Sequence, residues 1–414
     1  MKGFIAKIVL VLTLMAFTVC GTAVSAQTLP WSFQFDTNQN LILPNASNAQ
    51  TTRFVIGIYD TSGYGSNEAW WINHLDTLLN GEVPLATGAT PAAQGLVDVY
   101  INYFQGASPL QNRLNIGNAA ASLGMAWLDT ENTGLSNIWT TSSTGQPILD
   151  TAVLLPIVQG EKGQPGQLGY YTADEPCNTN PGTDYSKVSQ LHSFFDAQWP
   201  RAVQYGVMRV NDPFYVYNGA NDPCSKPGYE FTGEMSDLLT AIGTDPYLIF
   251  WSRPLANIVN FVPDTLSWAN APANLSGVRF KPYWYVQQLW GYTNGIDGWP
   301  TAEEMRRESW TAICEGVNGI FFWSFGAKGL VYVPEPQRGV LFSEWLSDVQ
   351  EIKSYQADLT GNPVALPETL PRGVIGIARQ TPDGVTHVFT INTSETTISD
   401  SNGHRWTPHQ TIFW

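Results

Sequence analysis

Two adjacent carboxylates, Asp174 and Glu175, follow the extended run Gly169–Thr172 and precede Pro176. Further polar residues close other β-rich segments: Asp60, Asn102, Asp129 with Glu131, Asn218, Asp245, and Gln287 with Gln288. Trp323 and Ser324 close the last such segment. Carboxylates, amides and an indole at one place suit two tasks, proton transfer and the binding of many hydroxyls at once. Histidine is missing from all these positions. His74 and His192 both lie in helical patterns, so neither a Ser-His-Asp triad nor a histidine zinc site has its base or ligands. No glycine-rich phosphate loop joins a strand to a helix. Carboxylates remain as the acid–base groups, and no metal or organic cofactor is implied.

The elements that must position these residues alternate between β and α. Eight strands are expected: Phe54–Tyr59, Val97–Tyr103, Met125–Leu128, Leu168–Thr172, Phe214–Tyr217, Leu239–Gly243, Pro282–Val286 and Gly319–Trp323. Helices fall between them. Asn67–Asn80 puts Trp71, Leu75, Leu78 and Leu79 on one face, and Gly81 ends it. Thr301-Ala302-Glu303-Glu304 reads as a capping box opening a helix that stops at Gly316. A last helix, Leu341–Leu359, aligns Trp345, Val349, Ile352 and Leu359. Alternation of this kind predicts a parallel sheet, and eight units predict an α/β fold, a (β/α)8 TIM barrel, with its chemistry at the C-terminal ends of the strands. The tail differs: Val374–Gln380 and Val385–Ile391 are extended runs joined by Thr381-Pro382-Asp383-Gly384, a hairpin signal.

The expected organisation is a signal peptide over 1–26, a β-rich lead-in over 27–50, the barrel over 51–360 and a small C-terminal β domain over 361–414. Lys2 and Lys7 precede the apolar run Ile8–Val19, and Val24-Ser25-Ala26 offers a cleavage site. Export to a secreted or periplasmic place is therefore expected, with lipoprotein anchoring through Cys20 as the lesser alternative. Such export permits a disulfide between Cys177 and Cys224, which follow neighbouring strands, and leaves Cys314 as a buried thiol. The net charge of −15, or −17 without the first 26 residues, disfavours nucleic acid and anionic membranes as partners. The 16 tryptophans divide between core and faces on which sugar rings can stack.

Gly169-Tyr170-Tyr171-Thr172-Ala173-Asp174-Glu175-Pro176 resembles the fourth strand of the (β/α)8 glycoside hydrolases related to β-galactosidases and cellulases, which typically ends Asn-Glu-Pro. Ile242–Tyr247, Thr301–Phe325 and the β tail are also similar to that clan. The resemblance implies that Glu175 is the general acid of a carboxylate pair, acting on a polysaccharide or oligosaccharide. It implies sugar contacts from Asp174, Asp60, Asn102, Asp129, Glu131, Asn218, Gln287, Gln288 and Trp323. The clan's nucleophile is a Glu on strand seven, where this chain has Gln287 and Gln288. The second carboxylate must then come from another strand, Asp245 first, with Glu131 and Asp129 behind it. A partner on another strand favours an inverting reaction, whose carboxyls stand about 6.5–9.5 Å apart. The alternatives are an inactive glycan-binding protein on the same barrel and an exported structural or adhesion protein.

Overall fold

The computed structural model of the chain describes residues 34–44, 49–60, 95–103, 110–131, 137–175, 181–208, 237–247, 262, 281–289, 299–325 and 337–414. Three short antiparallel strands lead in: β1 (Gln34–Phe35), β2 (Leu41–Pro44) and β3 (Gln50–Arg53). The barrel follows as β4 (Val55–Asp60), β5 (Val99–Asn102), α1 (Leu110–Ser122) and β6 (Ala126–Thr130). After a small hairpin, β7 (Trp139–Thr141) and β8 (Pro147–Leu149), come α2 (Thr151–Glu161), β9 (Gln167–Asp174), α3 (Pro181–Gln198) and β10 (Val203–Met208). It continues through β11 (Ala241–Thr244), β12 (Trp284–Gln288), α4 (Ala302–Cys314), β13 (Gly319–Trp323), α5 (Gln337–Ser354) and α6 (Gln356–Leu359).

Eight of these strands form one parallel sheet in the order β11-β10-β9-β6-β5-β4-β13-β12. A parallel bridge between Ile242 and Tyr283 joins its two ends, which closes the barrel. Seven of the eight expected strands match observed ones. The fifth strand of the barrel is Val203–Met208, directly after α3, and the expected Phe214–Tyr217 lies outside the described residues. The Phe-Tyr-Val-Tyr run is richer in aromatic β-formers, while Val203–Met208 carries Gln204 and Gly206 and reads weaker.

Both faces of the barrel strands are buried, so apolar residues occupy both and the pleat cannot be read from hydrophobicity. The inner face carries Val55 and Tyr59, Val99, Ile101 and Tyr103, Val203, Tyr205 and Val207, and Trp284, Val286 and Phe321. Aromatic rings fill the interior, with Trp284 stacked on Phe321 at 5.1 Å and Tyr205 at 5.0 Å from Trp284. Glycine makes room for them, since a Cβ on Gly57 would meet the Phe321 ring at 2.2 Å. Leu41 and Leu43 of the lead-in join this inner cluster, and Phe35 lies 6.3 Å from Trp284, so the lead-in packs on the barrel interior.

The capping box forms as expected: Glu304 N–H donates to Thr301 Oγ1 at 3.2 Å, and Thr301 N–H donates to Glu304 Oε2 at 2.8 Å. The expected last helix breaks at Tyr355 into α5 and α6, with Trp345, Val349, Ile352 and Leu359 all buried. Beyond it, β14 (Asn362–Val364), β15 (Val374–Gln380), β16 (Thr386–Asn392) and β19 (Thr411–Phe413) pair antiparallel, and β17 (Ile398–Ser399) pairs with β18 (Arg405–Trp406). Gly384, at φ +87°, closes the β15–β16 turn. Trp310 of α4 stacks on Phe389 of β16 and ties this sheet to the barrel. Cys314 is a buried free thiol. Residues 1–26, the Asn67–Asn80 segment, Cys177, Cys224 and Asn218 lie outside the described residues.

Candidate active site

The fourth barrel strand, β9, is the irregular one. It slips register twice, between Trp127 and Leu128 of β6 and between Tyr205 and Gly206 of β10. In the second slip Tyr171 pairs with Tyr205 but Ala173 pairs with Gly206, so Thr172 is the extra residue of a bulge. The Thr172 hydroxyl donates to Tyr205 O at 3.3 Å. A bulge shifts the pleat by one. Tyr171 faces inward, Ala173 outward, and Asp174 inward again beside Val207. An unbroken pleat would have turned Asp174 out. Gly169 permits the close approach of β10 here, as a Cβ at that position would lie 2.0 Å from Val203 O.

Glu175 follows with φ +38°, a left-handed backbone unusual for a side chain of this size, and its N–H donates to Val207 O at 3.0 Å. Tyr247, two residues past Asp245, has φ +44°. Both left-handed residues border the same cavity. Strain of this kind, where observed, marks a place the surrounding structure has been made to hold.

That cavity, about 150 Å³, opens at the C-terminal ends of the strands. Asp174, Glu175 and Asp245 face it together with Tyr59, Tyr103, Tyr171, Tyr247 and Trp323. The rings brace one another, with Tyr59 at 5.1 Å and Tyr103 at 4.9 Å from Trp323, both edge-on. Asp174 accepts from two phenols, Tyr171 at 2.7 Å and Tyr103 in a short bond. Burial pushes its carboxyl up, and the two phenol donors pull it back down. Asp245 is raised much further. Burial is the main cause, the negative charges of Glu175 and Asp174 add to it, and a hydrogen bond from Tyr247 opposes it. One Asp245 oxygen, Oδ1, is buried with no hydrogen-bond partner.

Of the residues expected at the mouth, four line this cavity: Asp174, Glu175, Asp245 and Trp323. Most of the others stand on the outer pleat face. Asp60, Asn102 and Asp129 pair with one another across β4, β5 and β6, one residue away from the inward Tyr59 and Tyr103. Asp60 accepts from Tyr100 at 3.1 Å. Asp129 and Glu131 both bind Arg113 of α1, at 2.6 Å for Asp129, in a wholly buried ion cluster. Gln287 turns to α4, where its amide nitrogen donates to Met305 O at 2.8 Å. Gln288 is buried at the end of β12, and Val286 is the residue that strand presents to the cavity. The substrate contacts expected of Asp60, Asn102, Asp129, Glu131 and Gln287 therefore find no support in their placement. Asn218, the remaining expected contact, lies outside the described residues. The tyrosines were missed, although Tyr59 and Tyr103 each directly adjoin a position that was expected.

Among the described residues one group has the spacing of metal ligands, Glu368, Asp400 and His404 of the C-terminal β region. His404 Nδ1 stands 2.7 Å from Asp400 Oδ2 and 3.2 Å from Glu368 Oε1, so the imidazole already serves both carboxylates.

No protein-family model and no curated protein matches the sequence. Among solved structures the barrel is shared by glycoside hydrolases. An endo-β-1,6-glucanase aligns with 88% of this chain and 91% of its own, at 11% identity and a TM-score of 0.48. An α-amylase from H. orenii covers 87% and 98%, at 10% identity and 0.49. A β-L-arabinopyranosidase from Geobacillus stearothermophilus covers 87% and 95%, at 12% identity and 0.48. The likeness is one of fold.

Proposed function

We propose that the protein is a secreted glycoside hydrolase that cleaves O-glycosidic bonds in a polysaccharide or oligosaccharide, with Glu175 and Asp245 as its carboxylate pair. The observation that carries this reading is the convergence of Asp174, Glu175 and Asp245 with Trp323 on one cavity at the barrel mouth. Hydrolysis of a glycoside needs one carboxyl to protonate the leaving oxygen and one carboxylate to act at the anomeric carbon. Trp323 offers an apolar face to a sugar ring, and the tyrosines offer hydroxyls to its polar edge. Export rests on the first 26 residues of the sequence. Among the described residues no helix is long and apolar enough to cross a membrane.

The test is a glycan panel on the purified mature protein, reading new reducing ends and binding in parallel. Turnover of at least one glycan supports the proposal. Binding without turnover favours the second reading, an inactive glycan-binding barrel, for which Gln287 and Gln288 in place of an acid on strand seven speak. Trp323→Ala is expected to weaken binding in both cases, through loss of the stacking face.

A further inference from the structure

We propose that Asp245 holds the transferable proton of this site and that Glu175 works ionised, the reverse of the roles that the fourth-strand resemblance implies. The inference rests on the hydrolase reading for its catalytic meaning and on geometry for the position of the proton.

Three carboxyl groups share one small cavity, and mutual repulsion prevents all three from ionising together. Their surroundings rank them. Asp174 has phenol donors on both oxygens, which favours its charged form. Asp245 accepts a hydrogen bond from Tyr247 but keeps one oxygen, Oδ1, buried without a donor, so its charge would be less well compensated than that of Asp174. Among the described residues, the groups that act on Asp245 from the packed elements are Asp174, Glu175, Tyr171, Tyr205, Tyr247 and Tyr285. None of these is a cation. Burial and the two neighbouring carboxylates raise its pKa in the same direction.

In the reaction, Asp245 gives its proton to the glycosidic oxygen as the bond from that oxygen to the anomeric carbon breaks. The electron pair of the bond leaves with the oxygen. Glu175 takes a proton from a water whose oxygen bonds to the anomeric carbon. One water is consumed, Asp245 ends ionised and Glu175 protonated, and proton exchange with solvent resets both. Asp174 is a positioning residue: its charge keeps the proton on Asp245.

Two readouts test this. The first needs no turnover. In infrared difference spectra between wild type and variant at neutral pH, one protonated-carboxyl component should be lost in Asp245→Asn and kept in Glu175→Gln, while the contribution of Glu308 cancels in both. Loss of the band in Glu175→Gln with persistence in Asp245→Asn overturns the proposal. The second compares dinitrophenyl with methyl glycosides of the same sugars. A good leaving group needs no proton, so Asp245→Asn should stay within about tenfold of wild type on the former and fall by about 10²–10⁴-fold on the latter. Glu175→Gln should lose both, and the opposite pattern overturns the assignment. Should Asp245→Asn fail to fold, Asp174→Asn keeps Asp245 intact. Removing that charge should move the basic limb of the pH–rate profile to lower pH, and a limb that stays in place or rises overturns the proposal. If the wild type cleaves no glycoside, the hydrolase reading falls while the infrared band still decides where the proton sits.

Discussion

The barrel carries two groups of acids at neighbouring strand ends, one on each face of the sheet. Inside, Asp174, Glu175 and Asp245 meet phenols and an open cavity. Outside, Asp129 and Glu131 bind Arg113 of α1, and Glu161 at the end of α2 feels the same charge, with all four side chains wholly buried. Burial pushes Glu131 up to about 7 and Glu161 well above its ordinary range, although Arg113 pulls against both. A strand-end acid is thus a reactive group or a strut according to two things: the pleat face it falls on, and whether a cation meets it there.

The comparison breaks most visibly in activity. Glu175→Gln should reduce hydrolysis by about 10²–10⁴-fold and leave the melting temperature nearly unchanged. Glu131→Gln, on the outer face, should leave the specific activity of the folded protein at the wild-type level. A matched loss from both substitutions, measured per folded molecule, would show that the outer group also serves the reaction.

In stability the ranking inverts. Arg113→Ala strands buried carboxylates without their cation, a change that costs about 3–5 kcal/mol. Denaturant unfolding at neutral pH measures it. The cost should shrink in acid, because protonated carboxyls no longer need the guanidinium. A deficit independent of pH would assign Arg113 a packing role only.

The division between the two faces also explains what the sequence allowed. Seven strands were legible because each is a short apolar run at regular spacing, and the helix at Thr301 was legible because its cap is local chemistry. The inward face was not. Val55–Asp60 is buried at every position, so hydrophobicity cannot tell Tyr59 from Asp60. Choosing polar residues at strand ends selected Asp60, Asn102 and Asp129, a register row on the outside, and passed over Tyr59 and Tyr103. Asp174 closes a strand in the same way, yet it lies on the inner face. The bulge at Thr172 that turns it inward depends on pairing with β10, whose Gln204 and Gly206 weaken its strand signal.

A third difference lies in pH. Behind strand seven, Glu308 is raised to about 8 by burial, against a hydrogen bond from Tyr285 at 2.8 Å. Asp348 is raised to about 7 by burial. Ser309 has one O–H and two partners at 2.6 Å, Gln287 Oε1 and Asp348 Oδ2. Gln287 Oε1 can only accept, so a protonated Asp348 completes the network. The sign follows from linkage. A carboxyl raised in the folded state costs nothing below its ordinary value near 4, and destabilises increasingly as pH climbs to its folded value. The unfolding free energy should therefore fall between about pH 5 and 8, by about 3 kcal/mol per group, and the melting temperature with it. Glu308→Gln should flatten this slope. A melting temperature that rises across the same window would contradict the burial of these acids as uncharged groups.

The smallest expected effect sharpens the comparison most, because it touches one donor inside the cavity. The Tyr171 hydroxyl donates to Asp174 Oδ1 at 2.7 Å while its ring packs on Tyr59 at 5.5 Å and Tyr103 at 5.8 Å. Tyr171→Phe keeps the ring and removes the donor. Hydrogen bonds to charged groups contribute about 1.5–3 kcal/mol, and Tyr103 remains as the second donor, so the stability loss at neutral pH should sit at the low end of that range. The lost donor had favoured the ionised Asp174, so its pKa rises further. The loss of stability should accordingly be present at neutral pH and fade as the pH falls and Asp174 takes up a proton in wild type too. With less charge on Asp174, Asp245 gives up its proton more readily. The basic limb of the rate profile should move to lower pH, by less than in Asp174→Asn. Unfolding curves and rate profiles over the same pH series measure both. A stability loss that stays constant with pH would reduce the phenol to a packing group and leave Asp174 without the donor pair that distinguishes it from Asp245.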